Sequence, residues 1–185
     1  MENAQASTLA SALHLVRSLR RRPSIVAVDG RSSSGKTTLT AGIAAAAPES
    51  RVVHTDDIAW HHAVLDWDGL LADGVLRPFR SGRAVSYRPP QWDRLSRSGS
   101  IDVPASCPLL LVEGVGSGRR ELSVLLDAVI WVETDAAELD RRNATRVAAG
   151  EISPEDHAAW MAEEEPFVAA QRTWERADLI VPGWH

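Results

Sequence analysis

The sequence predicts an α/β fold in which one parallel β-sheet lies between layers of helices. Three observations predict it. Short, unbroken apolar runs recur along the chain (SIVAVD, LLLV, AVIWV), and a strand without polar alternation is one buried on both faces. Segments of helical spacing or composition separate these runs, as parallel neighbours require. The first run passes directly into DGRSSSGKTTLT, a turn rich in glycine and serine that opens a helix.

The elements follow in order. Residues 7–20 place Leu9, Leu13, Val16 and Arg20 about one turn apart, which predicts an amphipathic helix stopped before Pro23. Residues 24–29 are short, apolar and β-branched, a first buried strand. Residues 36–47 are alanine-rich and end at Pro48, a helix with a plain stop. A second strand is expected over 51–55 (RVVHT). From Asp56 to Pro108 the composition shifts to Trp, Arg, Pro, Gly and Asp, with a weak helical patch over 67–75. Residues 109–112 and 128–132 give the third and fourth strands. Helices are expected over 135–149 and 155–174, the latter with Pro166 as a candidate break, and residues 179–181 make a last short strand. No linker divides the text, so residues 1–185 read as a single domain. Residues 56–108 read as an inserted, loosely structured acceptor-binding flap, and residues 141–155 as a lid.

Composition excludes several function classes. The 185 residues are 44% apolar and 24% charged, ordinary for a soluble globule. A net charge of −5 argues against a nucleic-acid polymer as partner. The single cysteine, Cys107, rules out an internal disulfide framework and fits the reducing cytoplasm. No apolar run reaches the ~18 residues needed to cross a bilayer, so no membrane partner is expected. The start, MENAQASTLASALHLV, lacks the basic region of a signal peptide. A homo-oligomer is compatible with all of this.

GRSSSGKT, residues 30–37, fits G-x-x-x-x-G-K-[ST] and stands between a strand and a helix, the context this motif requires. A polyphosphate needs many donors at short range. Glycines let the backbone curl so that successive amides point inward, and the helix aims its positive dipole end at the same spot. Gly30, Arg31, Ser32, Ser33, Ser34, Gly35, Lys36, Thr37 and Thr38 are the candidate nucleotide-binding residues. Lys36 would serve the β- and γ-phosphates of ATP, and the Thr37 hydroxyl can ligate Mg²⁺.

Later segments narrow the class. No N-K-x-D guanine signature appears, which counts against a GTPase. Kinases of small molecules need a carboxylate near the acceptor hydroxyl, and in open α/β sheets ligands lie at the strand C-terminal ends. HTDDIAW puts Asp56 and Asp57 there, one to accept a hydroxyl proton or help hold the metal, unless the pair caps a helix. LLLVEGVG ends the third strand at Glu113, a candidate metal ligand or else the partner of an arginine. ELDRRNATR places Arg142 and Arg146 four apart on one helix face, with Arg141 beside them. They suit a lid that brings positive charge to a transferring phosphate, or a solvated face paired with Glu138 and Asp140.

The insertion also carries Trp60, Trp67, Trp92, Phe79, Tyr87, His61 and His62. Aromatic rings can stack on planar bases or cover sugar faces. Trp67 reads as core, while Tyr87, Trp92 and Asp93 read as acceptor-side residues. The insertion's arginines (Arg77, Arg80, Arg83, Arg88, Arg94) are matched by aspartates (Asp56, Asp57, Asp66, Asp68, Asp73), so no large positive surface results. His61-His62 has no further ligand at metal spacing. Arg119, after GVGSG, either reaches the acceptor or the phosphate or lies on the surface.

Taken in order, these motifs resemble the uridine kinase and phosphoribulokinase group of P-loop kinases over residues 24–183. VDGRSSSGKTTL is similar to that family's phosphate loop, HTDDIAW to its aspartate-bearing strand end, and VLRPFRSGRAVSYRPPQWD to its nucleoside-side segment. LLLVEGV, AVIWVETDAAELDRRNATR and RADLIVPG resemble its Glu-Gly strand, its lid and its final strand. Where uridine kinases have two aromatics after the base, this chain has Ile58-Ala59. In place of a His-x-Arg after Trp92-Asp93 it has Arg94 and Arg97. The resemblance implies the P-loop NTPase fold with sheet order 2-3-1-4-5. It implies Asp56 as the base, and Thr37 and Glu113 as Mg²⁺ ligands, joined by Asp56. Arg142 and Arg146 become lid arginines, and Trp92 and Asp93 lie by the acceptor. The expected activity is transfer of the γ-phosphate of ATP to a small-molecule hydroxyl, first of all a nucleoside. The alternatives are another hydroxyl acceptor (a sugar, vitamin precursor or antibiotic) or a nucleotide-binding regulator without transfer activity.

Overall fold

The computed structural model describes residues 2–183. Helix α1 (Glu2–Ser18) leads to strand β1 (Ser24–Gly30), the phosphate loop and α2 (Lys36–Ala46). Strand β2 (Arg51–His54) runs into the single-turn helix α3 (Thr55–Ala59). A near-continuous helical stretch follows, made of α4 (Asp68–Leu71), a π-helical turn (Ala72–Leu76) and α5 (Arg77–Arg80). Strands β3 (Val85–Tyr87) and β4 (Ile101–Val103) flank α6 (Pro90–Arg94) and pair with each other antiparallel. Strand β5 (Leu109–Glu113), a 3₁₀ turn (Arg120–Leu125), β6 (Ala128–Glu133), α7 (Ala136–Ala148), α8 (Pro154–Gln171) and β7 (Leu179–Pro182) complete the chain.

The main sheet is parallel, in the order β2-β5-β1-β6-β7. Counted among the five strands of this sheet, that is the expected order 2-3-1-4-5. Strand β1 lies at the centre, and all of its residues are buried, as its unbroken apolar run required. Alternate side chains of the strands serve opposite faces. Val26, Val28, Leu111 and Ile130 pack with Ala12, Val16, Leu39 and Ile43 from α1 and α2. Ile25, Leu110 and Val112 face the other way.

That second face corrects the expectation for residues 56–108. They are not a loosely structured flap. Trp67, Leu71, Val75, Leu76, Phe79, Trp92, Ile101 and Val103 are buried against Ile25, Val53, Leu110 and Val112 as one cluster. A sheet with two apolar faces needs cover on both, and this segment supplies the second.

Helix α7 begins at Asp135, whose carboxylate accepts the Ala137 amide at 2.9 Å. Helix α8 begins at Ser153, whose hydroxyl accepts the Asp156 amide at 3.0 Å, with Pro154 at the first helical position. Pro166 does not break α8, which runs through to Gln171. Among the described residues no helix is long and apolar enough to cross a membrane.

Candidate active site

The phosphate loop closes on itself at the C-terminal end of β1. Gly30 holds φ +152, and a Cβ there would stand 2.6 Å from the Val132 carbonyl oxygen. Gly35 holds φ +96 directly before α2, and Ser33 holds φ +61. The first amides of α2 have no partner inside the helix, and Lys36, Thr37 and Thr38 line the cavity in front of the loop. Lys36 is buried and its Nζ donates to the Arg31 carbonyl at 2.7 Å, spanning the loop. The Ser34 amide donates to the same carbonyl, and the Thr134 hydroxyl donates to the Ser34 carbonyl.

Adjacent strand ends bring the acids. Glu113 closes β5 and His54 closes β2, at paired positions in the sheet. Their side chains meet, His54 Nδ1 to Glu113 Oε2 at 2.6 Å, while the Thr37 hydroxyl donates to Glu113 Oε1 at 3.2 Å. Asp56 projects from the first turn of α3. A cavity of about 830 Å³ collects Thr37, Asp56 and Glu113. Ser32, Ser33, Gly35, Lys36, Thr37 and Thr38 form its floor. Asp56, Glu113, Arg141, Arg142 and Arg146 face it, and Val115, Ile152, His157 and Trp160 wall its remaining side.

The electrostatics separate the two carboxylates. Burial, reinforced by the charge of Glu113, pushes the Asp56 carboxyl above its ordinary range, against the pull of Lys36. Burial alone would raise Glu113 too. The His54 hydrogen bond, the Lys36 charge and the Thr37 hydroxyl outweigh it and hold Glu113 below its ordinary value. His54 is raised by that same hydrogen bond. Burial lowers Lys36, opposed by the surrounding acids Glu113, Asp29, Glu164 and Asp56.

Residues that the sequence singled out divide into those the cavity gathers and those it does not. Gly30, Arg31 and Ser34 shape the loop from behind. Asp57 turns away from the cavity, and its carboxylate meets Arg97 Nη2 at 2.6 Å. Trp92 is 4% exposed and packs in the core, its indole donating to the Asp57 carbonyl at 2.9 Å, with Arg97 lying over its ring. It braces the turn that carries Asp56 and does not line the cavity. Asp93 pairs with Arg88 at 2.6 Å at the surface. Tyr87 lines a separate cavity of about 580 Å³ with Asp66, Asp73 and Gly74. Arg119 reaches neither the phosphate loop nor the surface. It is 2% exposed, bonded to Asp68 and the Leu65 carbonyl, and held between the rings of Trp67 and Phe167.

Sequence reasoning missed other contributors. Asp29, wholly buried, accepts the amides of Gly30, Gly116 and Gly118 and so ties the end of β1 to the turn after β5. Burial raises its carboxyl although those amides pull it down. Its place in VDG beside the loop was a signal. Asn143 follows Arg142 directly and reaches Ser33. Glu164, His157 and Trp160 of α8 gave no motif.

Known structures can be set beside this geometry. A possible uridine kinase from Bacillus stearothermophilus is 18% identical, over 98% of this chain and 100% of that one, with a TM-score of 0.57. A candidate fructose transport system kinase from Silicibacter sp. TM1040 is 25% identical over 96% and 99%, with a TM-score of 0.60. D-glycerate 3-kinase from Cryptococcus neoformans var. grubii is 12% identical over 92% and 86%, with a TM-score of 0.53. No family model matches the chain, and no curated protein matches it in sequence. The resemblance to uridine kinase-like P-loop kinases thus holds in the fold: this chain folds as P-loop kinases do.

Proposed function

We propose that this chain transfers the γ-phosphoryl group of ATP to a hydroxyl of a small molecule. One observation carries the reading. The phosphate loop, a buried lysine, the Glu113 and Asp56 carboxylates of opposite pKa tendency and the α7 arginines share one cavity at the C-terminal edge of the sheet.

Each residue then has a task. The loop amides and Lys36 bind the triphosphate. Asp56 accepts the proton of the acceptor hydroxyl as its oxygen bonds to the γ-phosphorus and ADP departs. Arg142 and Arg146, with Arg141, bring cationic charge to the moving group. Thr37 and Glu113 fit a magnesium ion, as hard oxygen donors whose side chains already touch, with Glu113 held ionised. No group of three or more acidic, histidine or cysteine side chains suited to a metal exists among the described residues. A magnesium ion keeps few protein ligands and shares the phosphates. When bound, it would neutralise charge on the β- and γ-phosphate oxygens.

The resemblance points to a nucleoside as acceptor. The names of the structural neighbours span a nucleoside, a sugar and a hydroxy acid.

The test is ADP formation with Mg·ATP across nucleosides, sugars and hydroxy acids. Lys36→Ala and Asp56→Asn should each cut acceptor-dependent turnover by about a hundredfold or more. Asp56→Asn should still bind ATP in calorimetry. Full turnover in Asp56→Asn, or ATP binding with no acceptor-dependent ADP from any class, would refute the assignment.

A further inference from the structure

Two helices grip the phosphate loop from outside. Ser33 is left-handed, a conformation that a residue with a side chain holds only where its surroundings fix it. Helix α7 supplies part of the grip. Asn143 Oδ1 accepts the Ser33 hydroxyl at 2.6 Å, Arg142 Nη1 donates to the Ser33 carbonyl at 2.8 Å, and Arg146 Nη1 donates to the Ser33 hydroxyl at 3.3 Å. Helix α8 supplies the rest through one residue. Glu164 is 1% exposed, and its Oε1 accepts the Ser32 amide at 2.6 Å. Its other oxygen accepts the indole N–H of Trp160, and Trp160 lines the cavity.

We propose that Glu164 is a positioning residue that joins the phosphate loop to the α8 wall of the cavity, by accepting the Ser32 amide with one oxygen and the Trp160 indole with the other. The inference rests on the phosphotransferase reading and says how phosphate binding reaches the α8 wall of the cavity. Glu164 itself is absent from the cavity lining, so it acts through the groups it holds. A carboxylate suits the place because two N–H donors converge on it and it accepts both. Glutamine would offer one oxygen and turn its NH₂ toward the second donor. Filling the loop with phosphate fixes Ser32, and Glu164 passes that order to Trp160 in the wall of the cavity.

The experiment uses the full chain, Mg²⁺ and the β,γ-imido analogue of ATP. Calorimetry on folded Glu164→Gln should show affinity about tenfold weaker than wild type. Subtracting the emission of Trp160→Phe isolates the Trp160 signal. That signal should shift on nucleotide binding in wild type and stay still in Glu164→Gln. Glu163→Gln, which removes the same charge from the exposed neighbouring position, should leave affinity and signal unchanged. Hydrogen exchange on wild type needs no variant to fold, and the analogue should protect both residues 30–37 and residues 154–171. Affinity within twofold of wild type in Glu164→Gln overturns the inference while leaving the kinase reading intact. So does protection of the loop without α8. No heat from wild type overturns both.

Discussion

Asp56 and Asp57 are neighbours of identical chemistry, and the backbone sends them to different fates. Asp57 is bound to Arg97, whose guanidinium stacks on Trp92 at 3.8 Å, and its carbonyl takes the Trp92 indole. Those two contacts pin the first turn of α3 and leave Asp56 to the cavity. There burial and the nearby Glu113 favour its neutral form. The proposed base works only when ionised, so a raised pKa moves the acidic limb of the pH–rate curve upward. We expect kcat/KM to fall, as pH is lowered, at a pH above the usual aspartate range, and that limb to vanish from the residual activity of Asp56→Asn. A limb at the ordinary aspartate value would mean that Asp56 is solvated in the working complex. Glu113 moves in the opposite sense and remains charged across the same window.

At the level of elements, the site depends on how closely β5 passes α3. Gly114 follows Glu113 at φ +143, and a Cβ there would overlap the Thr55 hydroxyl at the start of α3. Gly114→Ala should cost about 3 kcal/mol in denaturant unfolding. It should also lower turnover beyond what the lost stability explains, because relief of the clash displaces the turn that carries Asp56. Unchanged turnover in folded Gly114→Ala would separate α3 from the chemistry. The strands of the main sheet and the loop were legible in sequence because each reports its own environment: an unbroken apolar run for a strand buried on both faces, and glycines before a lysine for a backbone that must curl; the short pair β3 and β4 inside residues 56–108 was not. Glu164 was not legible. It is the middle of three consecutive glutamates, and only the helical phase of α8, fixed by packing, buries it while Glu163 and Glu165 stay exposed. The acceptor side was misread for a related reason. A tryptophan in a polar segment has the same composition whether it lines a site or fills a core, and Trp92 fills a core.

The whole molecule is a sheet with unlike covers, and this decides how it should unfold. One face is closed by α1 and α2, the other by residues between β2 and β5, which bring Trp67 and Phe79 to 2% and 1% exposure. A dispensable flap would melt first and leave the sheet standing. A cover that forms half the core cannot, because its loss exposes Ile25, Leu110 and Val112 to water. Trp67→Ala removes a large ring from this layer and also one of the two rings that hold the buried Arg119. The expected loss is roughly 3–5 kcal/mol. Far-UV circular dichroism, which follows the whole backbone, and tryptophan emission should give the same midpoint in wild type and variant alike. An emission change that precedes loss of the sheet signal would mean that residues 56–108 fold apart from it. In that case Asp56, the proposed base on α3, would be held by a layer able to open separately from the phosphate loop.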